Sequence, residues 1–240
     1  MTQSITILQL YPRDMNIYGD WGNVLVLKRR LEWRGYQVEL REYDVGDTFP
    51  EDVDIIIGGG GQDSGQAKIG DDLLTIGPKL KSLADNGTPM LVICGLYQQF
   101  GHFFKTKDGD IIKGIDILDV KTYGSDVRMI GNILTHSDEF GDIIGYENHS
   151  GQTTLGPHAT LLARVVLGAG NNDQDAHEGA RYQNVIGSYL HGSLLPKNPA
   201  IADFLIEAAV TRKFGTELPP ITTPNDYTDS ARNTAMKRPR

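Results

Sequence analysis

Short apolar runs alternate with stretches of helical periodicity along the first hundred residues of this chain. Strands are predicted at Ser4–Leu10, at residues 36–43 and at residues 55–57, and the first of them carries apolar residues on both faces. A helix is predicted at residues 24–34, with Asn23 as its N-cap. This rhythm is typical of an α/β protein with an open, mostly parallel sheet and helices on both faces.

The next elements lead to the stretch around which the chain is organised. A helical stretch at residues 71–86 is predicted to break at the Gly-Pro pair at 77–78. The apolar run Met90–Ile93 then predicts a short buried strand, and a helix is predicted to follow at residues 96–102. A strand, a tight turn and a helix are therefore expected in direct succession here.

Beyond residue 102 the pattern changes to short strands separated by Gly, Asn and His. A turn at residues 107–110 predicts a hairpin, and apolar spacing predicts a helix at residues 200–213. We expect one domain at residues 1–217 and a loose C-terminal tail at residues 218–240, which are rich in Pro and Thr and then basic. Further short strands, which would add antiparallel elements to the sheet, are predicted at residues 115–123, 128–135, 142–147, 161–167 and 184–190.

The composition is that of a soluble globular protein. With 240 residues, of which 39% are hydrophobic, the chain can bury the core of one sizeable α/β domain. Its formal net charge of −8 argues against non-specific nucleic-acid binding. The apolar runs are too short to span a bilayer, and the first five residues lack the features of a secretory signal. A single cysteine suits a reducing compartment, so we expect a cytoplasmic protein.

Cys94 is the first candidate for chemistry. It lies between the strand Met90–Ile93 and Gly95, on a turn that would hold its sulfur clear of the backbone, as in the nucleophile elbow of hydrolases. The N-terminus of the following helix should favour the thiolate. The alternative is that Cys94 is a small buried apolar residue after three aliphatic ones.

The four glycines at residues 58–61 follow a buried strand and form a second candidate. A P-loop starting at Gly60 would require Lys at position 66, where Gln66 stands, and the spacing of a dinucleotide fingerprint is absent. Backbone N–H groups of such a loop can stabilise a developing anion. The predicted oxyanion hole therefore comprises Gly59, Gly60 and Gly95, although a plain flexible turn is the alternative.

A cysteine nucleophile requires a base, and His191 is the preferred candidate. It follows the last predicted strand, and the carboxyl ends of parallel strands converge on one edge of a sheet. One cysteine and irregular histidine spacing do not predict a zinc site. The remaining histidines lie in loops or polar segments and are expected to be solvated: His102, His136, His149, His158 and His177.

These residues together carry a resemblance to a known family. The segments 93–98 (Ile-Cys-Gly-Leu-Tyr-Gln), 58–61 and 189–192 (Tyr-Leu-His-Gly) resemble class I glutamine amidotransferases in their cobyric-acid-synthase-like branch. The resemblance covers about residues 5 to 210. It is closer still to the glutaminase subunits of lipid II isoglutaminyl synthases, and the segments that carry this are residues 16–23, 145–151, 168–173 and 191–198.

The resemblance implies a glutaminase that hydrolyses L-glutamine to glutamate and ammonia. It implies that Cys94 is the nucleophile and His191 the base, and that Arg128 binds the substrate, where the alternative is a surface arginine. The ammonia would pass to a separate MurT-like Mur ligase, which amidates the D-glutamate α-carboxylate of lipid II in peptidoglycan synthesis. No cofactor is expected in this chain, since ATP and Mg²⁺ would bind the ligase.

The chain departs from the class I pattern at one position. That pattern places a glutamate two residues after the histidine, whereas Ser193 stands there. The cobyric-acid-synthase-like branch also lacks this glutamate, so only the third member of the triad is in doubt, and the partner is one source for it. Two alternatives remain: a glutaminase serving another synthetase, such as a cobyrinate-type enzyme, and a catalytically silent scaffold subunit.

Overall fold

The computed structural model describes residues 3–221 and 226–238, and one mixed sheet runs through them. The strands are β1 (Ser4–Leu10), β2 (Gln37–Tyr43), β3 (Ile55–Gly58), β4 (Met90–Ile93), β5 (Phe103–Lys105), β6 (Ile111–Lys113), β7 (Val120–Ser137), β8 (Gly141–Leu155), β9 (Thr160–Leu167), β10 (His177–Tyr182) and β11 (Val185–Ser188). The helices are α1 (Trp21–Glu32), α2 (Asp63–Asp85), α3 (Gly95–Phe100), α4 (Leu194–Lys197), α5 (Pro199–Phe214) and α6 (Asp226–Ala235).

The parallel half of the sheet confirms the predicted fold class. Its order is β2-β1-β3-β4-β11, with parallel pairing throughout, and β10, β9 and β7 continue it in antiparallel fashion. Every residue of β3, β4 and β11 is buried, as expected for strands covered on both faces. The carboxyl ends of these three neighbouring strands lead directly into the glycine run, Cys94 and His191.

Helix α2 corrects one prediction. It is continuous from Asp63 to Asp85 and contains Pro78, whereas a break was predicted near this residue. A proline inside a helix costs about 3 kcal/mol. The helix nevertheless buries a long apolar face against the sheet, and each fully buried aliphatic side chain contributes roughly 1.5–3 kcal/mol, which offsets the cost. The buried aliphatic residues of this face are Ile69, Leu73, Ile76, Leu80 and Ala84.

Helix α1 begins earlier than predicted and is capped differently. It starts at Trp21, whose N–H donates to the Asn16 side chain at 2.9 Å. Asn23, predicted as the N-cap, lies inside the helix, where it is buried and accepts the Leu195 N–H at 2.9 Å. Asn16, in the loop before α1, thus accepts the first free N–H of the helix. Asp20, at the N-cap position, makes no capping hydrogen bond with its side chain.

The second half of the chain contains longer strands than predicted. The separate strands predicted at residues 115–123 and 128–135 are one strand, β7, whose pairing with β8 shifts between Gly124 and Met129. This irregularity masks the periodicity, because it changes which side chains face inward. The hairpin β5–β6 forms as predicted, whereas β10 was not predicted.

The C-terminal region also contains structure. Helix α5 lies within a residue of its predicted bounds. Within the predicted tail, α6 is helical, and Arg232 on it donates to the Lys197 carbonyl and to the Asn198 side chain. The division into a domain at residues 1–217 and a tail at residues 218–240 stays a prediction. No helix of the described residues is both long and apolar enough to cross a membrane.

Candidate active site

A pocket of about 380 Å³ opens at the carboxyl ends of the central strands. Cys94 reaches it from the end of β4, and the β7–β8 ribbon covers its other side. Most of the residues that line the pocket have polar side chains, so the pocket suits a small zwitterionic ligand. The wall includes Tyr18, Gln66, Cys94, Gln98, Arg128 and His149.

Cys94 occupies the strained turn that the sequence predicts. Its φ of 51° and ψ of −103° are unusual for a residue with a side chain, and strain of this kind is concentrated at functional sites. Its N–H donates to the Ser188 carbonyl at 2.9 Å, which fixes the turn against β11. The turn therefore holds the sulfur in one place at the pocket wall.

The thiol is protonated, contrary to the expectation from the helix N-terminus. Burial is the main cause that raises the pKa of Cys94, to about 12, and the Asp20 carboxylate raises it further. The Gly95 N–H, which bonds to the sulfur, and the Arg128 guanidinium lower the pKa, but they do not compensate for burial.

His191 is fully buried at the end of the segment that follows β11. Its N–H donates to the Tyr146 carbonyl at 2.7 Å, so the backbone is held by β8. Burial, followed by the charges of His149, Lys197 and Arg128, lowers the pKa of its imidazole to about 3. The imidazole is therefore neutral in the free chain, so one ring nitrogen has a lone pair that can accept a proton.

Gly60 brings the cysteine and the histidine together. A Cβ atom placed on Gly60 would lie 3.1 Å from Cys94 Cβ and 3.0 Å from His191 Cε1, so both side chains border the same glycine. The predicted nucleophile, base and glycine loop therefore meet at one point. A side chain at position 60 would require one of these neighbours to move by a few tenths of an ångström.

Asp20 engages this glycine from the opposite side. Its buried carboxylate accepts the Gly60 N–H at 2.9 Å, and burial raises the pKa of Asp20 to about 6. In this conformation the Gly60 N–H is therefore not directed at the reaction centre, in contrast to its predicted role. Gly59 packs against the same carboxylate, and Gly95 lies beside the sulfur. The oxyanion role of these glycines stays a prediction.

Arg128 lies at the mouth of the pocket on β7. Its Nε donates to the Asn148 side chain at 2.7 Å, and its Nη2 donates to the Tyr18 hydroxyl at 3.4 Å. The guanidinium is exposed on the pocket side and has further N–H groups with which it could bind a carboxylate. Its position is compatible with the predicted substrate role.

His149 is a site residue that sequence reasoning missed. It was expected to be solvated, but it is buried, stacks on Tyr189 with ring centroids 3.6 Å apart, and lines the pocket. Burial is the main cause that lowers its pKa, to about 4. The sequence carried no signal for this, because the inward-facing residues 145, 147, 149, 151 and 153 of β8 are Gly, Glu, His, Gly and Thr, which show no apolar alternation.

Two buried glutamines were also missed. The Gln66 side chain donates to Gln98 at 2.9 Å, and Gln98 in turn donates to the Tyr189 hydroxyl at 3.0 Å. This chain of hydrogen bonds joins α2, α3 and the segment before His191 at the pocket wall. Sequence alone gave no signal for it, because each glutamine lies in an ordinary helical pattern.

The fold is that of the glutamine amidotransferases. A solved glutamine amidotransferase shares the fold with a TM-score of 0.60 at 16% identity, covering 84% of this chain and 98% of that one. The CobB/CobQ-like glutamine amidotransferase domain matches residues 6–199. The chain belongs to this family, which confirms the resemblance predicted from the sequence.

Two curated relatives match nearly the whole chain. The GatD subunit of the glutamine-hydrolysing lipid II isoglutaminyl synthase of Staphylococcus aureus (strain N315) is 41% identical over 211 residues, which are 87% of this chain and 86% of that protein. The GatD subunit of Streptococcus pneumoniae (strain ATCC BAA-255 / R6) is 36% identical over 217 residues, covering 89% of this chain and 84% of that protein.

Proposed function

We propose that this chain is the glutaminase subunit of a lipid II isoglutaminyl synthase. It hydrolyses L-glutamine to glutamate and ammonia and delivers the ammonia to a MurT-like Mur ligase, which amidates the D-glutamate α-carboxylate of lipid II. The observation that carries the hydrolytic part is the convergence of Cys94 and His191 on Gly60, beside a pocket that also contains Arg128. Full-length similarity to two GatD subunits supports the assignment of the pathway.

Substrate binding begins at the mouth of the pocket. The Arg128 guanidinium binds the α-carboxylate of glutamine, while the carboxamide extends towards Cys94. Burial raises the pKa of the Cys94 thiol and lowers the pKa of the His191 imidazole, so both groups are neutral before glutamine binds. The proton moves only when the carboxamide carbon is within reach of the sulfur.

The reaction then proceeds by nucleophilic catalysis. His191 accepts the thiol proton as the Cys94 sulfur bonds to the carboxamide carbon. The imidazolium returns this proton to the leaving nitrogen, and the C–N bond breaks to give ammonia and a thioester. A water molecule that gives a proton to His191 attacks the thioester, which releases glutamate and restores the thiol.

The oxyanion of each tetrahedral intermediate requires N–H donors. The Gly95 N–H, next to the sulfur, is one proposed donor, and Gly59 and Gly60 are the others. Gly60 can serve only if its N–H leaves the Asp20 carboxylate. Each such donor typically contributes roughly 2.7–4 kcal/mol to the lowering of the barrier.

The proposed partner supplies the ATP-dependent step, and the reaction is proposed to take place in the cytoplasm. Amidation of a carboxylate consumes ATP, and the sequence contains neither a P-loop nor a dinucleotide fingerprint. We therefore expect a heterodimer in which the ligase docks near the carboxyl ends of the strands, where ammonia is released. The third member of the triad, which Ser193 does not supply, is proposed to come from this partner.

Release of ammonia from glutamine tests the proposal. The chain is assayed alone and with a co-expressed MurT-like ligase, ATP and lipid II, and both glutamate and amidated lipid II are measured. Cys94→Ala and His191→Ala should each lose at least about a hundredfold in turnover, because nucleophile and base act as a unit. His158→Ala is the matched control, since this exposed histidine lies outside the site and should leave turnover unchanged.

Three outcomes would contradict the proposal. Turnover by Cys94→Ala above about one hundredth of wild type would remove the nucleophile assignment. Glutaminase activity that supports a cobyrinate-type synthetase but not the Mur ligase would favour that alternative. Normal amidation of lipid II from glutamine by Cys94→Ala would indicate a silent scaffold.

A further inference from the structure

The His191 imidazole lacks a hydrogen bond that would orient it. Neither ring nitrogen has a hydrogen-bond partner among residues 3–221 and 226–238. The backbone of His191 is well fixed, because its N–H donates a hydrogen bond to the Tyr146 carbonyl and its carbonyl accepts one from the Lys197 ammonium at 3.2 Å. The side-chain torsions are therefore determined by packing, and a general base requires a defined ring orientation.

Ser193, at the position of the glutamate in the class I pattern, makes a different contact. Its hydroxyl donates to the Gly19 carbonyl at 2.7 Å. The two segments are packed closely here, since a Cβ atom on Gly22 would lie only 2.2 Å from Ser193 Oγ. The chain just after His191 is thus attached to the loop that precedes α1, which we define as the 16–20 loop.

The 16–20 loop presents Tyr18 to the histidine. The two ring centroids are 4.2 Å apart with an interplanar angle of 52°. The Tyr18 hydroxyl accepts the hydrogen bond from Arg128, and the ring lines the pocket. Gly19 has a φ of +74°, which a side chain rarely adopts, so the turn that directs Tyr18 inward depends on glycine.

The same loop also makes two hydrogen bonds to Gly60, the glycine that borders both Cys94 and His191. The Ile17 N–H donates to the Gly60 carbonyl at 3.1 Å, while Asp20 accepts the Gly60 N–H. Tyr18 therefore lies between two residues that fasten the loop to the reaction centre. The backbone of Tyr18 is therefore held in place by the hydrogen bonds that its neighbours Ile17 and Asp20 make to Gly60.

We propose that Tyr18 is a positioning residue for both the base and the substrate clamp: its ring holds the His191 imidazole in the orientation that faces Cys94, and its hydroxyl holds Arg128. The inference rests on the proposed glutaminase function and adds a residue to it. The ring and the hydroxyl have separate roles. Loss of the hydroxyl should weaken glutamine binding, whereas loss of the ring should slow the chemical step as well.

Two variants separate these roles in the glutaminase assay of the chain with its ligase. Tyr18→Phe keeps the ring, so kcat should stay within about twofold of wild type while KM rises about two- to tenfold. Tyr18→Leu loses both groups, so KM should rise similarly and kcat should fall at least about tenfold. Tyr227→Leu is the control, because Tyr227 is 92% exposed and is not among the residues that line the pocket, and it should change neither constant.

A spectroscopic measurement on the free chain tests the ring contact without activity. The ring protons of His191, assigned by their loss in His191→Ala, should show a ring-current shift that persists in Tyr18→Phe and disappears in Tyr18→Leu. If the wild-type chain with its ligase had no glutaminase activity, the proposed function would be refuted. The ring-current shift would still show whether the Tyr18 ring contacts the His191 imidazole.

Several results would overturn the inference. An unchanged His191 ring shift in Tyr18→Leu would show that the rings are not in contact. A kcat of Tyr18→Leu equal to wild type, or an equal loss of kcat in Tyr18→Phe, would refute the role of the ring. An unchanged KM in Tyr18→Phe would refute the role of the hydroxyl.

Discussion

Burial sets the protonation of both Cys94 and His191, because it raises the pKa of the thiol and lowers the pKa of the imidazole. The position of Cys94 was predictable, because a strand of four aliphatic residues followed by glycine and a helical pattern defines a tight turn. The pKa of its thiol depends on how deeply the turn is buried and on Asp20, which is distant in sequence. Burial outweighs the helix N-terminus, so the free chain contains a thiol and not a thiolate.

This protonation state predicts slow alkylation of the free chain. Below the pKa the thiolate fraction rises tenfold per pH unit, so the rate of reaction with iodoacetamide should still be rising at pH 10, since the pKa of Cys94 is raised to about 12. The unfolded chain, with a thiol pKa of about 8.5, should level off near pH 9 to 10. Mass spectrometry reports the reaction unambiguously because the chain has one cysteine. An alkylation rate of the folded chain that stops rising below pH 8 would indicate a thiolate–imidazolium pair instead.

At the element scale, three chain segments converge on the reaction centre, and only two of them were recognisable. The turn after β4 and the segment after β11 were predictable, since both follow buried strands and parallel strands end at a common edge. The 16–20 loop lies in the segment 16–23, which carries part of the family resemblance, but its sequence predicts no contact with the reaction centre. Its contacts with Gly60, His191 and Ser193 are tertiary, and no periodicity within the loop reveals them.

Gly60 fits closely between Cys94 and His191, so adding one methyl group at this position should strongly reduce glutaminase activity. In Gly60→Ala the new Cβ atom would press on Cys94 Cβ and His191 Cε1, which are about 3 Å away, and displace the reacting groups. We expect kcat to fall about 10- to 100-fold, with a loss of about 1–3 kcal/mol in the free energy of unfolding.

Gly70→Ala is the matched control for this variant. Gly70 lies inside α2, and a Cβ atom there would meet nothing within 4 Å. Alanine should therefore leave kcat unchanged and stabilise the helix by about 0.5–1 kcal/mol. Steady-state kinetics and urea unfolding of both variants provide the comparison. If Gly60→Ala retained wild-type kcat, the close approach of nucleophile and base around this glycine would be refuted.

Across the whole molecule, the mixed sheet extends behind the site and places another buried carboxylate there. Glu178 on β10 accepts hydrogen bonds from the Ser188 hydroxyl at 2.8 Å and from the Tyr189 N–H at 3.0 Å. It thereby supports the end of β11, from which His191 follows. Strand β10 was not predicted, because its six residues include charged and glycine positions, so this support for the site could not be foreseen from the sequence.

Glu178 gives the fold a pH dependence whose sign can be worked out. Burial, as the main cause, raises the pKa of its carboxyl to about 7, whereas an unfolded glutamate has a pKa of about 4.3. Between these values the folded chain binds more protons than the unfolded chain, so the free energy of unfolding falls as pH rises. The stabilising effect of protonation is therefore fully present below about pH 4 and is lost progressively as the pH rises from there to about 7.

Glu178→Gln isolates this contribution, because glutamine keeps an oxygen that can accept both hydrogen bonds but does not titrate. Urea unfolding at several pH values measures the free energy of unfolding of both proteins. From pH 5 to pH 8, the value for Glu178→Gln should rise relative to that of wild type by roughly 2–3 kcal/mol. A constant offset, such as the cost of burying the new amide N–H groups, does not affect this change with pH. Glu207→Gln on the exposed face of α5 is the control and should follow the wild-type curve. Parallel curves for Glu178→Gln and wild type would mean that Glu178 is already ionised in the folded chain at pH 5.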